Sequence, residues 1–299
     1  MKKQIDFVGK RRIFIMLSLA LIILSLVSMF SKGFNLGVEF TGGSEIIIRI
    51  EDPNFTEAQV RKIVTPLGEE FTMARITKVK SLGDPPNISK FSIVVSKIYE
   101  AKEKGKVTEA INDALRKANV KGEIASFSET GGTAAEEIKR GTWTAIIVAT
   151  IVILLYITIR FNFVFGVGAI VALIHDVVIT LGFFSLSGYE INVPAVAALL
   201  TLIGYSLNDT IVVCDRIREN MKRYRGRSIE SIVNQSINEV IVRTINTSLT
   251  TFMVVFTLFL FAGKVIKPFA FGMVIGTIVG TYSSLYIAAP IVIKWVRSR

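Results

Sequence analysis

The sequence predicts a polytopic α-helical membrane protein with six transmembrane helices and a small α+β ferredoxin-like domain between helices 1 and 2. Apolar residues make up 51% of the 299 positions, and they are concentrated in six long runs. Each run approaches the ~20 residues that an α-helix needs to cross the hydrocarbon core of a bilayer. The longest polar stretch lies between the first two runs, and its apolar patterns are typical of an independent domain.

The six apolar runs define the predicted spans, which are Ile13–Phe30, Thr142–Ile159, Phe163–Leu186, Val193–Val213, Ile241–Ala262 and Phe269–Ile293. A basic stretch precedes the first run, as it would in a secretory signal peptide. The residues after that run, "SMFSKGFN", lack a small-x-small cleavage site, and the run is long for a signal peptide. We therefore expect the first run to remain as a signal-anchor.

Basic residues are grouped beside particular spans, and this grouping accounts for the net charge of +11. Clusters precede the first span, follow the fourth and follow the sixth, whereas the loop "SGYEIN" after the third span has neither Lys nor Arg. If both termini are cytoplasmic, all three clusters are cytoplasmic, as the positive-inside rule requires. The exceptions are Lys139, Arg140, Lys264 and Lys267. The charge therefore predicts a multi-pass protein of the plasma (cytoplasmic) membrane rather than a nucleic-acid-binding protein.

Residues 33–140 are predicted to form the α+β domain, on the extracytoplasmic side in this topology. The run Gly43–Glu51 reads as a strand, and Thr56 with Gln59 forms a capping-box pattern that begins a helix. The cytoplasmic N-terminus with helix 1 then occupies residues 1–32, and helices 2–6 occupy residues 141–299.

Two strand-like segments continue this domain, at 71–80 and 88–98, with the turn "GDPPN" between them. A second helix follows, with apolar residues at Val107, Ile111 and Leu115. A last strand at 121–130 completes the order β-α-β-β-α-β, which is typical of a split βαβ, ferredoxin-like unit.

A charged, helix-compatible stretch near 215–240 separates the fourth and fifth spans. Its apolar edge, formed by Ile229, Ile232, Val233 and Ile237, predicts an amphipathic segment along the cytoplasmic interface. A solvated loop with basic membrane anchors explains the same composition equally well.

The chain offers few ligands for a metal ion and no cofactor motif. His175 is the only histidine and Cys214 the only cysteine, which excludes a multi-histidine or cysteine-based metal site and an intramolecular disulfide. We therefore expect neither a metal nor a cofactor.

Polar residues within the spans are the main candidates for function. Asp209 lies in the fourth span, where a charge costs roughly 2.5–3.5 kcal/mol on insertion scales. Asn208 and Asp209 belong to one broad polar helix face, and Arg243, Asn246 and Thr247 form another on the fifth span. Both faces lie toward the cytoplasmic ends of adjacent spans, so Asp209 and Arg243 can face one another.

Intramembrane ionisable residues commonly mark ion or proton pathways, so Asp209 is predicted to be a titrating relay. A structural salt bridge between Asp209 and Arg243, fixing helix register, is the alternative. His175 and Asp176, about halfway through the third span, are candidates either for the relay or for local structure.

Four segments of the chain resemble signature segments of the SecD/SecF family of protein-export membrane proteins, which belongs with the resistance-nodulation-division transporters. They are "FNLGVEFTGG", "ALIHDVVITLG", "GYSLNDTIVVCDRIREN" and "RTINTSLTT". The resemblance covers nearly the whole chain, and the third segment is long and very specific. The α+β domain is matched mainly by position and length.

The resemblance implies an accessory, non-enzymatic subunit of the Sec translocase. It implies SecD as partner, action beside the SecYEG channel on unfolded exported polypeptide, and use of a proton or sodium gradient. Its ion-pathway residues fall on Asp209 and Arg243, and a further acidic residue is expected on SecD.

Other functions fit parts of this pattern. A stand-alone exporter of the same superfamily would use a similar relay but needs two transporter halves or a homodimer. A purely structural stabiliser of the channel would need the spans but not the relay. An intramembrane aspartyl protease needs two catalytic carboxylates and usually a Gly-x-Gly-Asp context, which "GYSLND" does not provide.

Overall fold

The computed structural model describes residues 5–79, 85–160 and 163–297, which form two compact units. The membrane unit contains the chain through Asn35, Thr144–Phe259 and the residues from Ile266 onward. The α+β domain contains Leu36–Trp143 together with the short segment Leu260–Val265.

The elements follow one another in the predicted order. Those before the second span are α1 (Arg11–Lys32), β1 (Asn35–Leu36), α2 (Val38–Thr41), β2 (Gly43–Ile50), α3 (Glu57–Val64), a 3₁₀ turn (Thr65–Leu67), α4 (Glu69–Thr72), β3 (Arg75–Val79), β4 (Ser89–Val95), α5 (Ala101–Lys117) and β5 (Gly122–Thr130). Those that follow are α6 (Gly132–Arg160), α7 (Phe163–Ser187), β6 (Glu190–Ile191), α8 (Val193–Arg223), α9 (Ile229–Phe261), α10 (Lys267–Ser283), a π-helical turn (Ser284–Ala288) and α11 (Ala289–Arg297).

Six helical spans are present in the described part of the chain: α1, α6, α7, α8, α9, and the near-continuous run from α10 into α11. Each is long and apolar enough to cross a membrane, which confirms the predicted fold class. In their most apolar stretches, α7, α8 and the run from α10 into α11 have 44–50% of their residues buried, whereas α6 has 6%. The apolar exposed side chains of α6 therefore suit contact with lipid.

The α+β domain has the predicted ferredoxin-like topology. Its antiparallel sheet has the strand order β3-β4-β2-β5, and β2 and β4 pair with Ile46 opposite Ile93. The predicted capping box is present at the start of α3, where Thr56 and Gln59 satisfy each other's backbone N–H groups. The predicted turn at 83–87 lies partly outside the described residues.

One face of this sheet forms the core of the domain. Ile46, Ile48 and Phe91 are fully buried beneath α3 and α5. Because side chains alternate along a strand, Glu45 on β2 and Ser92 on β4 point to the opposite face.

Glycines allow α8 and α10 to pack closely. A Cβ on Gly276 would lie 2.5 Å from Leu202 Cδ1, and one on Gly280 would lie 3.1 Å from Ser206 Cβ. Small residues at such crossings let membrane helices approach at backbone distance. This packing brings the hydroxyl groups of α8 and α10 near the same buried acidic residue.

The stretch 215–240 differs from both sequence-based interpretations. Instead of a separate interfacial segment or a loop, α8 continues to Arg223 and α9 begins at Ile229. Of the expected apolar edge, Val233 and Ile237 belong to the core of the membrane unit, Ile229 packs against that core, and Ile232 is buried. Arg216 on α8 pairs with Glu239 on α9 at 2.5 Å, and these contacts join the two helix extensions.

A candidate ion site in the membrane unit

Asp209 lies on the buried face of α8 with 2% of its surface exposed. Ser248 Oγ on α9 donates a hydrogen bond of 3.0 Å to Asp209 Oδ2. Thr281 Oγ1 on α10 lies 2.7 Å from the same Ser248 oxygen. The carboxylate therefore lies at the start of a short chain of hydroxyl groups that joins three spans.

Few groups hold this carboxylate. Ser248 is the single side-chain donor that the described residues provide to Asp209. A buried ionised carboxylate needs hydrogen-bonding or charged partners to offset its loss of solvation. One neutral donor at 3.0 Å satisfies only part of that requirement, which suits a group that binds and releases a proton or a cation.

Asp176 on α7 is held much more firmly. It is completely buried, and its Oδ2 accepts hydrogen bonds from Ser206 Oγ at 2.5 Å and from Ser283 Oγ at 2.7 Å. His175 Nδ1 lies 2.8 Å from Asp176 Oδ1, and the buried Nε2 of this histidine has no hydrogen-bond partner among the described residues. Asp176 thus connects α7 to α8 and α10.

The two buried acidic residues belong to one polar layer. Ser206 and Asp209 lie about one turn apart on α8, and Thr281 and Ser283 are two residues apart on α10. The π-helical turn begins directly after Ser283, and such turns occur frequently at functional sites. Hydroxyl groups of α8, α9 and α10 therefore line the region between the two carboxylates.

Arg243 does not pair with Asp209, in contrast to the arrangement expected from helix spacing. Among the described residues there is no ion pair between the two side chains, and Arg243 is exposed on α9. Ser248 is five positions after Arg243, so their side chains lie about 140° apart around the helix. Ser248, rather than Arg243, faces α8.

Asn208 and Asp209, which were expected to share one helix face, also point in different directions. Successive residues differ by about 100° around a helix, so Asp209 points inward while Asn208 is exposed. Asn246 and Thr247 are likewise exposed, on the same side of α9 as Arg243. Two spans therefore present polar residues on the surface of the membrane unit, and these residues are here called the polar stripe: Asn208, Arg243, Asn246 and Thr247.

The hydroxyl donors were not among the residues that sequence reasoning selected. Ser206 is three residues before Asp209, and Ser248 lies within the segment "RTINTSLTT". Ser and Thr are tolerated throughout membrane helices because they can bond to their own backbone. Only their placement beside a buried carboxylate distinguishes Ser206, Ser248 and Ser283 from the other hydroxyl residues of the spans.

The described residues contain no cluster of three or more His, Cys, Asp or Glu side chains that could hold a metal ion. The chemistry available at this site is proton exchange at a carboxylate, or weak coordination of a small cation by carboxylate and hydroxyl oxygens. Both are compatible with an ion pathway.

Comparisons with known proteins agree with this architecture. The family described as "Protein export membrane protein SecD/SecF, C-terminal" matches residues 110–298, and the "SecD/SecF GG Motif" family matches residues 27–53. The chain is 52% identical over 297 residues to Protein translocase subunit SecF of Petrotoga mobilis, covering 99% of this chain and 97% of that protein.

A longer relative carries the same architecture within one chain. Protein translocase subunit SecDF of Thermus thermophilus is 38% identical over 297 residues, which are 99% of this chain but 39% of that protein. A crystal structure of SecDF from Thermus thermophilus superposes with a TM-score of 0.86 at 34% identity, again over 39% of that chain. The buried acidic layer, the α+β domain and these matches lead to one conclusion: the chain belongs to the SecD/SecF family of protein-export membrane proteins.

Proposed function

We propose that this multi-pass membrane protein is an accessory subunit of the Sec translocase. Together with SecD, it uses the proton or sodium gradient to promote late outward movement of exported polypeptides through the SecYEG channel. The observation that carries this proposal is the buried, lightly held carboxylate of Asp209. The names of its relatives, which are translocase subunits, support the assignment to protein export.

Asp209 is the proposed relay, and the His175–Asp176 pair is assigned a structural role. Two serine hydroxyls donate to Asp176, and His175 Nδ1 lies within hydrogen-bonding distance of it. Changing the charge of Asp176 would disturb contacts to two other helices. Asp209 would lose or weaken only its contact with Ser248, so its protonation can shift α9 relative to α8.

The polar stripe is the proposed surface for SecD. Arg243 and Asn246 would be costly to leave in contact with hydrocarbon, because unsatisfied polar groups are strongly disfavoured there. A partner span that supplies an acidic or amide side chain would satisfy them. The SecDF relative, whose single chain extends well beyond the part matched here, supports SecD as that partner.

The energy of an ion gradient is adequate for a conformational cycle. One charge crossing 100 mV yields about 2.3 kcal/mol, and shifting a two-state equilibrium from 1:99 to 99:1 needs about 5.5 kcal/mol. Three ions crossing 100 mV per cycle, which supply about 6.9 kcal/mol, therefore suffice. Unfolding a domain costs about 5–15 kcal/mol. The gradient is therefore better suited to preventing backward movement of an already unfolded polypeptide than to unfolding a folded one.

The topology completes the proposal. With both termini cytoplasmic, the basic clusters lie inside and the α+β domain lies outside, where it can contact the emerging polypeptide. Protonation at Asp209 moves the spans, and the attached domain moves with them.

A scaffold role is the alternative that the contacts also allow, because Asp209, Ser248 and Thr281 join three spans. Pulse-chase export in cells that carry Asp209→Asn, with co-purification of SecD, separates the two. Asp209→Asn keeps the size and hydrogen-bonding capacity of the side chain but removes its charge and its titration.

We expect Asp209→Asn to retain SecD and to lose the gradient-dependent part of export. Glu219→Gln, which removes an exposed carboxylate farther along α8, is the control and should export normally. Normal export by Asp209→Asn would reject the relay, and loss of SecD together with export would favour the scaffold.

A further inference from the structure

The last residues of α9 and the short segment that follows them pack with the α+β domain rather than with the rest of the spans. Residues Leu260–Val265 belong to the same compact unit as Leu36–Trp143. The chain therefore connects the membrane unit to the α+β domain after α1, within the first half of α6, and at both ends of this segment.

Lys264 anchors this segment on the sheet. Its ammonium group forms an ion pair with Glu45 on β2 and donates a hydrogen bond of 2.8 Å to Ser92 Oγ on β4. Ser92 Oγ in turn donates to Glu45. These three side chains are here called the Lys264 triad. β2 and β4 are the two inner strands of the sheet, so the triad contacts the centre of the sheet.

The triad is largely shielded from water. The side chains of Lys264 and Glu45 are 20% and 14% exposed. Burial lowers the pKa of Lys264 to about 8, and the charge of Glu39 opposes that shift. Ion pairs in solvent contribute little, whereas removing one partner of a shielded pair leaves a charge without compensation. Removing one member of the triad therefore costs more than breaking an ordinary surface ion pair.

The same helix that contacts Asp209 leads directly to this anchor. Ser248 donates to Asp209 from the middle of α9, and α9 continues without interruption to Phe261. The thirteen helical residues from Ser248 to Phe261 span about 20 Å. A movement of α9 at Asp209 would therefore displace the end of the helix that leads into Leu260–Val265.

We propose that the Lys264 triad is the element that couples the ion site to the α+β domain, with Lys264 as a positioning residue. This inference rests on the proposed function, because it assumes that a change at Asp209 displaces α9. The triad then forces β2 and β4 to follow that displacement.

The test measures amide hydrogen exchange of residues 43–50 and 89–95 in the full-length protein reconstituted with SecD. Asp209→Asn serves as the uncharged form of the ion site. It is compared with the wild type in three backgrounds: unchanged, Lys264→Met, and Lys106→Met. Lys106 is an exposed lysine on α5 and is the matched control.

We expect Asp209→Asn to change exchange in both strands in the unchanged and Lys106→Met backgrounds, and to change nothing there in Lys264→Met. The reciprocal charge exchange, Lys264→Glu with Glu45→Lys, should restore the response. A merely stabilising lysine would alter the baseline exchange without removing the response to Asp209→Asn.

An undiminished response in Lys264→Met overturns the coupling role and leaves the proposed function intact. No response to Asp209→Asn in the unchanged background counts against both, since the ion site would then move nothing. If Lys264→Met also lowers thermal stability, Lys264→Arg provides the second variant. Lys264→Arg keeps the positive charge and can keep the ion pair with Glu45. If that protein is stable and its ion pair is intact, but Asp209→Asn no longer changes the exchange of the two strands, the proposal is likewise overturned.

Discussion

The two carboxylates buried in the membrane unit differ in how their neighbours constrain them. Asp176 accepts from two serine hydroxyls and lies against His175, whereas Asp209 accepts from Ser248. Several hydrogen bonds fix the position of a carboxylate and tie it to its neighbours. The more lightly held residue, Asp209, is the one that we propose as the relay.

Gly43 is constrained both by its backbone conformation and by the close approach of a neighbouring strand. Its φ is +116°, and a Cβ at this position would lie 2.3 Å from the backbone oxygen of Val95. Gly43→Ala should therefore destabilise the pairing of β2 with β4, through strain of about 1–3 kcal/mol. Faster amide exchange of residues 43–50 would show this effect.

Gly105 provides the matched control for that change. It lies within α5, and nothing approaches the Cβ that alanine would add. Gly105→Ala should stabilise the helix by about 0.5–1 kcal/mol. Equal exchange in Gly43→Ala and the wild type would contradict the steric account.

The acidic residues of the site could be predicted from the sequence, but their partners could not. A carboxylate such as Asp209 is conspicuous in an apolar run because of its insertion cost. Its actual neighbour, Ser248, is one of many hydroxyl residues in the spans. Spacing alone suggested Arg243 instead, since it gives the periodicity of a face but not the rotation of α9 about its own axis.

Among the elements, α9 has two distinct faces. Thr244 and Ser248 are buried against the rest of the membrane unit, while Arg243, Asn246 and Thr247 are exposed. The buried face contributes Ser248 to the candidate ion site, and the exposed face is the proposed surface for SecD.

Enlarging a residue on that exposed face should weaken the association with SecD. Thr247→Leu adds volume at a packed interface, and overpacking costs about 1–3 kcal/mol. We therefore expect about tenfold weaker co-purification or more. Thr150→Leu on α6 is the control, because both threonines are exposed and donate to a carbonyl four residues earlier. Equal weakening by both changes, or by neither, would argue against this surface.

The α+β domain has its own core and should fold as the isolated fragment 36–143. Tyr99 is buried in that core and donates to Glu70 Oε1 at 3.1 Å. Burial, followed by this hydrogen bond, raises the pKa of Tyr99 well above its ordinary value of 10.0. The folded fragment therefore keeps the phenolic proton at pH values where the unfolded chain loses it.

The sign of the resulting pH dependence is fixed by that difference. Above about pH 10 the folded state binds more protons than the unfolded state, so stability falls as the pH rises. Below that pH the contribution of Tyr99 is fully present. Chemical denaturation of the fragment from pH 8 to pH 11 should show this fall, and Tyr99→Phe should reduce it. Parallel profiles for the two proteins would contradict the assignment.

The order and type of the elements were more predictable than their ends. The capping box at Thr56 and Gln59 marked the start of α3 correctly. The charges after Val213 suggested that the fourth span ends there, yet α8 continues to Arg223. Polar residues end a membrane-spanning run but not a helix, and contacts such as Arg216 with Glu239 support the helix beyond it.

At the scale of the whole molecule, the proposed topology can be tested by labelling. After Cys214 is replaced by Ala, a cysteine at Ser187 should react with an impermeant thiol reagent in intact cells. A cysteine at Ser228 should react only after the membrane is permeabilised. Both positions are exposed in the structure, so burial does not confound the comparison. The reverse pattern would invert the topology.

The central claim is that an ion gradient acting through Asp209 moves an exported polypeptide. The most direct test follows a translocation intermediate stalled in inside-out vesicles after ATP is removed, when a proton or a sodium gradient is imposed separately. We expect one of these gradients to advance the polypeptide into the lumen with wild-type protein and with Glu219→Gln, but not with Asp209→Asn. Equal advance with Asp209→Asn and the wild type would contradict it.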